Sequence, residues 1–119
     1  MKGFQVIIET PTIVQNTLTE VMQATIYAQI PIDTVRVIEE FGIFGDSTTG
    51  TYFNFLNGED IIANNAFPNF TSFNRDYVAT IKHPCKPNSP LRAFIFATAV
   101  SPGKYKLYLK GKDFKLDEL

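Results

Sequence analysis

Apolar and polar positions alternate with a period of two along most of this chain. Phe4, Val6 and Ile8 alternate with Gln5, Ile7 and Glu9, and Pro11 ends the run; this period belongs to a strand with one buried face. Residues 24–30 (ATIYAQI) are short, favour β structure and stop at Pro31. Residues 34–41 (TVRVIEEF) set Val35 and Val37 on one face, Arg36 and Ile38 on the other. Gly42, Gly45, Asp46 and Gly50 then predict a turn. In residues 51–56, Thr51, Phe53 and Phe55 alternate with Tyr52, Asn54 and Leu56. Asn57-Gly58 signals a tight turn, followed by a short strand at Ile61-Ile62-Ala63. Residues 64–75 read as an irregular crossing with a short strand near Phe70 and Phe73, and strands at 77–82, 92–100 and 104–110 complete the set. The stretch from Thr12 to Gln23 stays open: Val14, Leu18, Val21 and Met22 fit one helical face, while its Thr and Ile content favours a strand.

Short strands separated by Pro, Gly and Asn turns predict an all-β domain over residues 1–119. That spacing implies an antiparallel two-sheet β-sandwich or a barrel, of eight or nine short strands. A chain of 119 residues suits one core. Its eleven phenylalanines are the natural filler, with Phe53, Phe55, Phe94 and Phe96 expected to point inward. The last strand divides most cleanly: Tyr105, Leu107 and Leu109 face one way, Lys104, Lys106, Tyr108 and Lys110 the other, as in a sheet with one wet face.

Composition narrows the chemistry. No apolar run approaches the roughly 20 residues a membrane helix needs, so no membrane span is expected. The opening MKGFQVIIETPT lacks the long apolar region of a secretory leader, and a lone cysteine fits a reducing compartment. One His (His83) and one Cys (Cys85) make neither a structural zinc site nor a disulfide. Cys85, between Pro84 and Pro87, reads as a loop thiol. On a strand His83 and Cys85 would share a face, yet Pro84 interrupts regular pairing and no third group is marked to orient a nucleophile. Glu39-Glu40 and Glu59-Asp60 are neighbours, which on a strand point to opposite faces and make no acid/base dyad. No catalytic residue, metal site or cofactor is expected, and the chain reads as a non-enzyme.

Charge is uneven along the chain. Residues 1–60 carry two basic residues against eight acidic ones, and residues 61–119 nine against four. Either the two signs balance within one fold, or they form complementary patches between neighbouring copies. The second reading makes Glu39, Glu40, Glu59 and Asp60 the candidate acidic side of a subunit interface and Lys104, Lys106 and Lys110 the basic side. The basic, aromatic last strand also suits a nucleic-acid backbone, but the acidic first half and the net charge of −1 argue against direct nucleic-acid binding.

From Thr34 to Val100 the features follow a recognisable order. A β-branched strand (TVRVIEEF) and a Gly-rich turn lead to an aromatic strand (GTYFNFL). A polar turn with an isoleucine pair (NGEDII), an aromatic crossing, and a loop (KPNSP) feeding a Phe-rich strand (RAFIFATAV) follow. This succession resembles the single jelly-roll vertex (penton) and minor capsid proteins of tailless, membrane-containing icosahedral bacteriophages. It departs from them at Asn64–Pro68 and in a longer extension after Pro102. The resemblance implies a β-sandwich that is a single jelly roll of about eight strands, and a structural protein of the virion, assembled in the host cytoplasm. Five copies would close a vertex as a homopentamer, contact the major capsid protein and anchor a spike protein. The competing classes are a stand-alone carbohydrate- or receptor-binding β-sandwich, such as a fibre or spike tip, and a small β-rich enzyme.

Overall fold

In the computed structural model, which describes residues 1–22, 25–45, 51–66 and 78–118, eight strands build two antiparallel sheets. The strands are β1 (Lys2–Glu9), β2 (Thr19–Glu20), β3 (Thr34–Gly45), β4 (Thr51–Asn57), β5 (Asp60–Ala66), β6 (Ala79–Cys85), β7 (Leu91–Ala97) and β8 (Tyr105–Lys115), with a one-turn 3-10 helix at Leu116–Glu118. One sheet runs β1-β8-β3-β6 and the other β2-β7-β4-β5. Apart from the β4–β5 hairpin, each connection carries the chain from one sheet to the other, which makes this two-sheet sandwich a single jelly roll.

The alternation in β1 and β4 survives intact. Ile8 is buried with Phe4 and Val6 packed beside it, while Phe53 and Phe55 are fully buried. Phe41, Phe53 and Phe55 form a ring cluster with centroids 5.8–6.2 Å apart. Truncating one of these rings to Ala costs on the order of 3–5 kcal/mol. The hairpin turns at Gly58, whose φ of 59° suits the first loop position of a II′-type turn. Asn57 closes the strand before it, its side-chain amide donating to Ser89 Oγ at 2.8 Å and to the Pro90 carbonyl at 3.1 Å.

Several expectations are corrected. Phe94 and Phe96 lie on the outer face of β7, and Leu91, Ala93, Ile95 and Ala97 fill its inner face. Register is the reason: Phe53 pairs with Ile95 and Phe55 with Ala93. Directly opposed residues share a face, so the inward rings of β4 turn Ala93 and Ile95 inward with them. Residues 25–30 form turns and a single bridge, Gln29 to Pro90, instead of a strand; Ala24 lies outside the described residues. Between Thr12 and Met22 there is no helix, only the bridge Ile13 to Gly103 and the two-residue β2. Gly42 and Gly45 belong to β3, where a β-carbon on Gly45 would run into the Tyr105 ring. The rest of that expected turn, Asp46 to Gly50, is outside the described residues, as is the strand expected near Phe70 and Phe73. Residues 64–66 continue β5.

Two further corrections bear on function. β6 runs through Pro84 to Cys85, so Cys85 is a fully buried strand residue and no loop thiol. Pro84 is tolerated because β6 is an edge strand, where a missing N–H faces away from the ladder. The outer face of β8 is also less wet than its lysines suggest, since Tyr108 is 4% exposed and accepts a 3.2 Å hydrogen bond from Gln5.

Candidate functional site

The residues singled out by charge gather mainly on the outer side of the first sheet, because acidic β3 and basic β8 are adjacent strands. A bulge between Ile38 and Glu40 leaves Glu39 unpaired in the ladder and sets Glu40 opposite Lys110. Lys110 Nζ lies 3.5 Å from Glu40, and Lys112 Nζ lies 3.6 Å from Glu39. Elsewhere Lys86 reaches Asp60 at 3.5 Å and Lys104 reaches Glu9 at 3.5 Å. Of the seven interface candidates, Glu39, Glu40, Asp60, Lys104 and Lys110 therefore have opposite charges beside them within one chain. Glu59, at the β4–β5 turn, and Lys106, on β8, make no ion pair among the described residues.

Arg36, Asp113 and His83 place polar groups on the inner face of the same sheet. Arg36 is 5% exposed. Its Nε donates to Asp113 Oδ1 at 2.8 Å, Nη2 to Asp113 Oδ2 at 3.1 Å and Nη1 to the Tyr27 carbonyl at 3.2 Å. The guanidinium also lies over the rings of Phe4 (5.1 Å) and Tyr27 (5.9 Å), which stack on each other. Across the β3–β6 ladder, Arg36 pairs with Cys85 and Ile38 with His83. His83 and Cys85 border a hollow of about 450 Å³ with Val35, Asp60, Pro84, Lys86 and Pro87. Burial pushes the Cys85 thiol up to about 12; the Arg36 charge opposes this, and Asp113 and Asp60 add to it. Such a thiol stays protonated at neutral pH and is a poor nucleophile there. Nε2 of His83 is buried without a hydrogen-bond partner among the described residues.

No three His, Cys, Asp or Glu side chains converge on a metal-sized space among the described residues, and no helix there is long and apolar enough to cross a membrane. No protein-family model matches the chain, and no curated protein sequence matches it.

Arg36 and Asp113 went unremarked as a pair in the sequence. A signal was present: Arg36 interrupts a β-branched run (TVRVI), and Asp113 is the lone acid among the lysines of KGKDFK. A cation in an apolar strand needs an anion from another element, but only the β3–β8 register shows which one.

Proposed function

We propose that this chain is a structural virion protein, a pentameric vertex protein or a minor capsid protein that contacts the major capsid protein and anchors a spike. The observation that supports this reading is the strand order 1-8-3-6 facing 2-7-4-5, the single jelly roll of the proteins the sequence resembles. The fold also offers places to hold neighbours. The β1–β2 and β7–β8 loops meet at one end, tied by the Ile13–Gly103 bridge, by Asn16 N–H donating to the Ala97 carbonyl at 2.7 Å and by Gln15 donating to the Thr98 carbonyl at 2.9 Å. Val14, Leu18 and Val100 are exposed there, and branched aliphatics on loops held by a rigid sandwich suit subunit contact. Because most of the candidate charges have partners within the chain, such apolar loops carry the affinity, and Glu59 and Lys106 are the charges left to set register.

The test is to locate the chain in purified native particles by electron cryomicroscopy. Five copies around each five-fold axis, touching the major capsid protein, are expected for the vertex role. Absence from the capsid shell, together with binding of the isolated protein to immobilised glycans or host receptors, would replace this reading with the receptor-binding one.

A further inference from the structure

The two sheets have four edges, and they differ sharply in how open they are to another strand. β6 carries Lys82 and Pro84, β2 is two residues long, and β5 has two register shifts against β4. These are the usual ways of blunting an edge. β1 carries charge only at its two ends, Lys2 and Glu9. It pairs with β8 over eight residues in unbroken register and contains no proline.

The direction of its backbone groups follows from one bond. The Thr10 N–H donates to the Tyr105 carbonyl at 2.8 Å, and this pair continues the β1–β8 register. Bonded pairs recur at every second residue of an antiparallel ladder. Ile8, Val6 and Phe4 therefore bond β8, and the N–H and C=O groups of Gly3, Gln5, Ile7 and Glu9 point to an edge that no strand covers among the described residues. We propose that this edge is a strand-addition surface and that its occupant is β1 of a second copy, antiparallel about a two-fold axis at Gln5.

Self-complementarity selects that occupant. Opposed residues of an antiparallel pair share a face. Centring the axis on Gln5 sets the two Gln5 residues opposite each other and lays Ile7, 54% exposed, over Gly3 of the other chain. A β-carbon on Gly3 would meet no atom closer than 3.9 Å, so there is room for that side chain. Moving the axis to Val6 would instead oppose Ile7 to Gln5 and Glu9 to Gly3. The antiparallel sense also brings the Lys2 end of each strand to the Glu9 end of the other, whereas a parallel pairing would align like charges. Lys2 has no ion pair among the described residues. Beside the strand, Tyr27 stacks on Phe4, and the preceding Ile26 is 86% exposed, ready to add apolar contact. The product is an eight-stranded sheet spanning two chains.

This inference does not rest on the vertex reading, and it is tested on the isolated protein where that reading is tested in the particle. Sedimentation velocity from about 10 μM to about 1 mM covers weak association and is expected to show a monomer–dimer equilibrium. Ile7→Pro removes one outward N–H without touching the bonds to β8, and is expected to weaken association at least tenfold. Ile7→Lys keeps the backbone intact, and is expected to do the same should the proline variant fail to fold. Gln5→Cys, exposed to air, is expected to form an inter-chain disulfide, because residues opposed in a bonded pair have Cα atoms about 5.5 Å apart; Gly3→Cys is expected not to. A wild-type chain that stays monomeric, a dimer indifferent to both Ile7 substitutions, or a disulfide at Gly3 instead of Gln5 would overturn the proposal.

Discussion

Arg36 and His83 sit on the inner face of the same sheet, on adjacent strands, and solve the problem of burial in different ways. Arg36 keeps its charge because a bidentate carboxylate, a backbone carbonyl and two aromatic rings surround it. His83 holds a buried nitrogen with no hydrogen-bond partner among the described residues. Leaving a charged group unpaired costs several kcal/mol, whereas an unmet neutral hydrogen bond costs about 1–3 kcal/mol. A small sandwich with net stability on the order of 10 kcal/mol tolerates the second and not the first.

The comparison breaks most visibly at Asp113. Asp113→Ala leaves the Arg36 guanidinium buried without its anion, and the expected loss is about 3–5 kcal/mol, read as a fall in the urea midpoint. A loss below about 1 kcal/mol would mean that the aromatic rings and the Tyr27 carbonyl hold Arg36 by themselves. A smaller effect is expected beside it, at Cys85. The folded thiol titrates near 12, above its ordinary 9.0, so the folded state holds the proton more tightly. The stability this contributes is complete below pH 9 and is lost as pH rises towards 12, at about 1.4 kcal/mol per unit, or about 2–3 kcal/mol by pH 11. Wild type is therefore expected to lose more stability than Cys85→Ala between pH 8 and pH 11; parallel curves would show that the thiol is solvated. The smallest effect is expected at the orphaned nitrogen. His83→Leu keeps an apolar body of similar size and removes the unmet polar atom, so stability is expected to rise by about 1 kcal/mol. A fall in the same denaturation measurement would show that Nε2 has a partner in solution.

The β character, the antiparallel sandwich and the Gly58 turn were all legible in the chain, because a period of two and an Asn-Gly pair act within a few residues of each other. So was the inner face of β4, where Phe53 and Phe55 alternate with Tyr52 and Asn54. Alternation states that a strand has two faces, and it names the buried one only when the two differ in polarity. In β7 both faces are apolar, and the choice of Ala93 and Ile95 over Phe94 and Phe96 came from pairing with β4. In β3 the bulge at Glu39 switched the inward set from Arg36 and Ile38 to Phe41 and Ile43, which no local pattern announces. The charge segregation read along the chain became pairing in space because β3 and β8 lie side by side, their partners 70 or more residues apart in sequence. Local spacing determined which segments became strands. Register between distant strands decided which side chains met, because that choice depends on sheet neighbours that a linear sequence does not place together.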